Sequence, residues 1–232
     1  MTTDLTFRLP GEGHVRLCLQ NAVVAGWTGR DRAAVDHHIA ELQAIGVPPP
    51  STVPLFYRVS AALFTADPAI ELVGETSSGE VEPVLFDDGQ ALYLALGSDH
   101  TDRKLETHSV ALSKQICAKP VSGDAWAFAE VAGHLDRIGL QSFIREEAGA
   151  DWVPYQDGTL AQLRPLAELA AASPFAAGPG RLAAGTALMC GTLGVLSGGV
   201  RPARHFAMRM HDPVLGRTIE HAYESRFLPV IA

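Results

Sequence analysis

The sequence is short of cysteine, of basic charge and of uninterrupted apolar runs, and each shortage removes a class of function. Its three cysteines, Cys18, Cys117 and Cys190, stand far apart without a Cys-x-x-Cys pair, which fits neither a disulfide framework nor a zinc site and leaves small buried residues of a reducing compartment. Lysine and arginine number 18 against 26 aspartates and glutamates, a net charge of -8. Nucleic acid and anionic membrane repel such a surface at long range, so neither is expected as a partner. The run Met1-Thr-Thr-Asp-Leu-Thr-Phe-Arg8 has no basic region followed by an apolar stretch; no signal peptide and a cytoplasmic location are expected. Leu182 to Val200 carries no charge but is broken by Gly185, Gly191, Gly194, Gly198 and Gly199. It reads as a buried strand, a glycine turn and a further element, not a membrane helix.

What is present suits a globular core: 47% hydrophobic and 19% charged residues over 232 positions, with no internal repeat, so one domain spanning residues 1–232 is expected. Val15 to Gly26 reads as a strand entering the loop Gly26-Trp-Thr-Gly-Arg30. Asp31 caps a helix that runs to about residue 45 on Ala33, Ala34, Ile39 and Leu42 and stops before Pro48-Pro-Pro50. Strands are expected at Leu55–Val59, Ala69–Val73, Glu80–Phe86 and Ala91–Leu96, the last two joined by a turn at Asp87-Asp-Gly89. Apolar spacing predicts helices over Asp124–Ile138 and Leu160–Ala172, and two closing strands, Phe206–Met210 and Thr218–Tyr223, flank a turn at Asp212–Gly216. Strands outnumber helices without regular alternation, which disfavours a Rossmann fold or β/α barrel and points to an α+β, mainly β class.

The chemistry concentrates in three carboxylates. Glu80 and Glu82 in Gly79-Glu-Val-Glu-Pro-Val-Leu-Phe86 leave one face of a strand together, and Asp99 follows in Leu96-Gly-Ser-Asp-His-Thr-Asp-Arg103. Without a Cys or His cluster nearby, three carboxylates make a hard oxygen site suited to Mg²⁺ or Mn²⁺. A half-exposed strand with a solvated glutamate face produces the same alternation.

These residues resemble the fumarylacetoacetate hydrolase superfamily, whose mixed β-roll carries a Glu-x-Glu strand and an Asp in a motif of the type Asn-Asp-Val-Ser-Ala-Arg-Asp; here Glu80-Val-Glu82 and Ser98-Asp-His-Thr-Asp-Arg-Lys104 correspond. The resemblance extends, in the family's order, from about Val23 to Tyr223. His38 and Glu41 match the His and Glu of the family's lid helix. Arg58 stands in the place of its strand lysine, Arg103 matches its arginine, and Lys119 lies where the active-site lysine is expected, with Lys114 as rival. Cys190-Gly-Thr-Leu-Gly-Val195 resembles the Gly-Thr-Pro-x-Gly-Val loop, in which Gly191 and Thr192 would hold a substrate carboxylate. The family's Asn-Tyr after the first glycine is replaced by Trp27-Thr28, and the connection from Glu82 to Asp99 is short.

The resemblance implies a mixed β-roll of the family's C-terminal-domain type with a short lid helix at about 31–45, a homodimer, and Mg²⁺ or Mn²⁺ on Glu80, Glu82 and Asp99. It implies a small-molecule carboxylate substrate: hydrolysis of a C–C bond in an acylpyruvate-like 2-oxo acid, with His38 and Glu41 activating water and Lys119 serving the developing anion. Decarboxylation of an oxaloacetate-like acid and hydration or dehydration of a 2-oxo acid pass through the same enolate. A binding protein that kept the roll and lost turnover is a further reading, supported by Trp27 and Arg58. Of the other histidines only His100, beside Asp99, is placed to reach the site.

Overall fold

The computed structural model describes residues 2–11, 13–44, 49–229 and 231, the side chains of His38 and Leu42 excepted. The chain opens with β1 (Thr3–Leu9), β2 (Gly13–Leu19) and β3 (Asn21–Gly26), then α1 (Arg32–Ala44), β4 (Leu55–Val59), β5 (Phe64–Thr65), β6 (Ala69–Val73) and β7 (Ser77–Ser78). The central strands β8 (Val81–Asp87) and β9 (Leu92–Ser98) follow, then β10 (Thr101–Asp102), α2 (Arg103–Glu106), α3 (Val110–Gln115), β11 (Lys119–Ala127) and α4 (Phe128–Val131). It closes with β12 (Gly139–Arg145), β13 (Val153–Thr159), α5 (Leu166–Ala172), β14 (Thr186–Met189), β15 (His205–Asp212) and β16 (Arg217–Leu228).

A mixed, curled sheet runs in the order β2-β1-β11-β9-β8-β14-β3-β4, with β5 beside β11, and packs against a second sheet ordered β13-β12-β15-β16-β6. Alternation puts Val23, Leu85, Leu94 and Leu188 into a core shared with Leu140, Met208, Met210 and Ile219 of the second sheet. Their neighbours Val24, Phe86, Ala95 and Met189 pack against Leu5, Phe7 and Leu17 of the first hairpin. Strand β8 is therefore buried at every residue, and Glu82, only 2% exposed, does not lie on a solvated face. The half-exposed reading of Glu-Val-Glu is excluded.

The expected α+β, mainly β class is what forms, and most local expectations hold. Asp31 caps α1, its Oδ1 accepting from Ala33 N–H at 2.9 Å, and the turn at Asp87-Asp-Gly89 joins β8 to β9 with Gly89 at φ +96°. The charge-free stretch Leu182–Val200 contributes β14 and loops, and among the described residues no helix is long and apolar enough to cross a membrane.

The helix expected over Asp124–Ile138 does not form. Ala125 and Trp126 pair with Ala95 and Leu94 of β9 and face opposite cores, so only Phe128–Val131 makes a helical turn before Gly133. Long-range pairing overrides local periodicity here. The second expected helix is shortened to Leu166–Ala172 because Pro165 sits at its N-cap and Leu160–Gln162 forms a separate 3₁₀ turn.

The end of β8 is fixed by the fully buried Asp87 carboxylate, which accepts from Arg181 Nε at 2.5 Å and Nη2 at 2.9 Å and from Gly89 N–H at 2.9 Å. Burial alone would raise its pKa, but Arg181 and the turn amide hold it below the ordinary 3.8. A depressed carboxyl contributes its stability above the unfolded value and loses it as pH falls through the folded one. Asp87→Ala is expected to cost about 2–3 kcal/mol, since the stranded Arg181 can rehydrate, and to flatten the acid limb of the melting temperature below pH 4; a pH series of thermal melts checks both.

Candidate metal centre

Glu80 and Glu82 reach one point because β8 starts between them and Asp99 sits where β9 ends. Val81 opposes Ser98 and Glu82 opposes Gly97, and Asp99 N–H donates to the Glu80 carbonyl at 3.0 Å. Gly97 leaves no room for a side chain: a Cβ there would lie 2.8 Å from Val84 Cγ2 and 3.1 Å from the Pro120 carbonyl. The Ser98 hydroxyl accepts Glu80 N–H at 3.1 Å and is bonded in turn to the buried Tyr223 hydroxyl at 2.9 Å. One oxygen from each of Glu80, Glu82 and Asp99 lies within 4.8 Å of the others.

Two lysines meet this cluster, each on a different oxygen of Asp99. Lys114, on the last turn of α3, makes a short ion pair with Asp99 Oδ2 and stands 3.7 Å from Glu80 Oε2. Lys119, at the start of β11, donates to the His100 carbonyl at 2.6 Å and lies 2.8 Å from Asp99 Oδ1. Lys114 lines the cavity above the carboxylates; Lys119 is fully buried beneath Asp99. Arg103 bridges Glu80 at 3.0 Å, Glu106 at 2.9 Å and the Ser78 hydroxyl at 2.7 Å. The neighbouring Asp102 caps α2 by accepting Leu105 N–H at 2.9 Å.

The electrostatics are opposed across the cluster. Burial would raise the Asp99 pKa, but Lys114 and Lys119 hold it down to about 2. Glu82 has no lysine of its own, and burial with the charges of Asp99 and Glu80 pushes its carboxyl well above its ordinary value of 4.5. Burial would lower the Lys114 pKa, yet Asp99 and Glu80 raise it above its ordinary value.

This arrangement fits a divalent cation. An octahedral Mg²⁺ sets oxygens at about 2.1 Å and opposite ligands about 4.2 Å apart, so a donor set within 4.8 Å closes on the ion with small side-chain movements. All three donors are carboxylates, and the repulsion that strains Glu82 is what such a charge removes.

Above the carboxylates opens a cavity of about 1190 Å³ whose wall includes the loop Gly26–Asp31, the first turn of α1, Tyr57, Gln156 and the loop Gly191–Val195. Gly191 and Thr192 line it as expected, but their donors are committed: Gly191 N–H donates to Glu82 Oε2 at 2.8 Å and the Thr192 hydroxyl to the Val81 carbonyl at 2.8 Å. In this arrangement those two protons brace the cluster. Only glycine fits at 191, where φ is +96° and a Cβ would lie 1.6 Å from Thr28 Oγ1. Arg58 does not line the cavity. Exposed on edge strand β4, it donates to Asn21 Oδ1 at 3.0 Å and covers the Phe175 ring at 4.7 Å.

His100 turns inward, its Nδ1 2.9 Å from the Tyr223 hydroxyl, and burial lowers its pKa to about 3; it is a neutral support beneath the site. On α1, Glu41 lies 3.3 Å from His37 Nε2, while the side chain of His38 lies outside the described ones. Gln156, which no motif marks, uses its whole amide: it accepts from Val81 N–H at 3.1 Å and the Ser142 hydroxyl at 2.8 Å, and donates to Thr192 Oγ1 at 2.8 Å and the Leu193 carbonyl at 2.6 Å. Trp27, the departure from the family pattern, adopts φ +61° and hydrogen-bonds the Tyr57 hydroxyl, so the replaced position forms cavity wall.

Fold and carboxylate cluster together define a mixed β-roll protein with an acidic centre at the mouth of its central strands. The chain belongs to the family described as protein of unknown function (DUF2848), whose model matches residues 25–223. A search of curated protein sequences finds no match. Among solved structures it is similar to a Burkholderia cenocepacia protein provisionally named a fumarylpyruvate hydrolase: 16% identity, 99% of this chain and 94% of that one covered, TM-score 0.63. It is also similar to 2-keto-3-deoxyarabinonate dehydratase, with 12% identity over 91% of this chain and 74% of that one, TM-score 0.63. Another structure of that enzyme, complexed with magnesium and 2,5-dioxopentanoate, matches at 12% identity, 90% and 74% coverage and TM-score 0.60. At these identities the likeness shows the fold.

Proposed function

We propose that the protein is a divalent-metal-dependent enzyme of the fumarylacetoacetate hydrolase superfamily that cleaves a C–C bond in an acylpyruvate-like 2-oxo acid. The observation that carries this reading is the buried cluster of Glu80, Glu82 and Asp99 facing a large cavity. Mg²⁺ or Mn²⁺ held there would supply Lewis acidity toward the carboxylate and keto oxygens of a 2-oxo acid. Gly191 N–H keeps Glu82 aimed at the centre, and Arg103 does the same for Glu80. Lys114, at the cavity wall, is the cation placed to stabilise the developing enolate oxygen and return a proton to the leaving carbon; Lys119, buried behind Asp99, holds that carboxylate ionised. Hydrolysis further requires a base for water, the role assigned to His38 with Glu41 on α1, whose first turn lines the cavity.

A lyase reading, decarboxylation or dehydration of a 2-oxo acid, draws on the same cluster and on the likeness to a dehydratase that binds magnesium and 2,5-dioxopentanoate. Calorimetric titration with oxalate, an enolpyruvate mimic, is expected to show binding only with Mg²⁺ or Mn²⁺ present. Absence of binding with either ion would overturn the metal reading and leave a non-catalytic roll as its replacement. In a screen of acylpyruvates and 2-oxo acids, His38→Ala separates the reactions: hydrolysis falls, whereas a reaction that needs no attacking water is spared.

A further inference from the structure

The cavity is much larger than a 2-oxo acid head requires, and its wall states what else it accepts. Three described cations line it, and each is already paired. Arg30 gives Nη1 and Nη2 to Asp136 at 2.7 Å each and Nε to the Leu163 carbonyl at 2.7 Å. Arg103 is divided among Glu80, Glu106 and Ser78, and Lys114 lies between Asp99 and Glu80. Four described acids, Asp31, Glu80, Glu82 and Glu106, line it as well, so the described lining carries a formal net charge of -1 that a divalent ion would turn to +1. That balance suits one carboxylate and leaves no charge for a second.

Much of the remaining wall is apolar or aromatic, with Trp27, Val35, Tyr155, Leu193, Val195 and Val200, beside uncharged polar side chains such as Gln156 and Gln162. Val200 is 53% exposed, an apolar surface at the cavity that a ligand tail would cover. We infer that the substrate is a monocarboxylic 2-oxo acid with an uncharged aliphatic or aromatic tail, and that dicarboxylic 2-oxo acids are discriminated against by unpaired desolvation of their second carboxylate. The inference rests on the proposed 2-oxo acid site and narrows its substrate.

The test is calorimetric displacement of oxalate from the Mg²⁺-loaded protein by 2-oxobutanoate, 2-oxooctanoate, phenylpyruvate and 2-oxooctanedioate. Affinity is expected to rise up to about fourfold per added methylene along the monoacids, and the diacid is expected to bind at least about tenfold more weakly than 2-oxooctanoate. Val200→Arg, which places a cation at an exposed position of the wall, is expected to narrow that gap several-fold, with its thermal melt confirming the fold. A diacid that binds as tightly as 2-oxooctanoate, or more tightly, overturns the tail inference and leaves the metal site standing. Failure of oxalate itself to bind overturns both.

Discussion

Glu82→Gln is expected to abolish metal-dependent turnover while leaving the metal-free protein at least as stable as before. The amide keeps an acceptor for Gly191 N–H, now 2.8 Å from Glu82 Oε2, and fills the same volume. It removes a buried charge that burial, Asp99 and Glu80 all oppose. A carboxyl whose folded pKa is raised costs stability as pH climbs above its unfolded value, so at neutral pH the wild-type carries a penalty that the amide lacks. Loss of one of the three proposed ligands is expected to remove several kcal/mol of transition-state stabilisation, a fall of about 10³-fold or more in kcat/KM. Melting curves with and without Mg²⁺, beside a steady-state assay, read both effects. Full activity in this variant, or an unchanged metal-induced rise in melting temperature, would remove Glu82 from the ligand set.

Lys114→Met is expected to have the opposite signature. Its ammonium pairs with Asp99 and stands 3.7 Å from Glu80, and methionine of similar length leaves those carboxylates facing Glu82 with only Lys119 and Arg103 for compensation. Removing one partner from a buried ion pair costs about 3–5 kcal/mol. A divalent cation replaces the missing positive charge, so Mg²⁺ should raise the melting temperature of the variant by more than it raises that of the wild-type. A variant that stays stable without metal, or that gains less from Mg²⁺ than the wild-type, would show that Lys114 does not share the cation's site. Turnover should be lost even with the metal bound, because the proton donor proposed at the cavity wall is gone.

Much of the site was legible along the chain for a simple reason: strand geometry is local. Glu80 and Glu82 two residues apart, a hairpin turn at Asp87-Asp-Gly89 and an aspartate just beyond the returning strand suffice to bring three carboxylates to one end of a hairpin. Asp31 and the spacing after it likewise specify the start of α1 to within a residue, while the expected stop near residue 45 lies outside the described residues. Less local features misled. The spacing of Trp126, Phe128 and Val131 reads as a helix, but β9 offers Ala125 and Trp126 partners that no window of neighbouring residues contains.

The same distinction separates the two lysines. Position along the chain favours Lys119, and both residues reach Asp99; whether each ammonium faces a cavity or a core depends on how α3 and β11 pack. The partners of Gly191 and Thr192 were not legible either, since their donors go to Glu82 and to Val81, more than a hundred residues earlier. Gln156 joins β8, β12 and the 191–195 loop without any local signal.

By itself, then, the sequence determined a mainly β chain with an oxygen-only acidic cluster, because side-chain period, turn chemistry and ligand type are properties of neighbouring residues. Only the tertiary structure decided which cation meets that cluster at the cavity and which donors are already used. It also decided that every described base on the wall is paired. Those are questions of burial and of partners distant in sequence, and packing alone answers them.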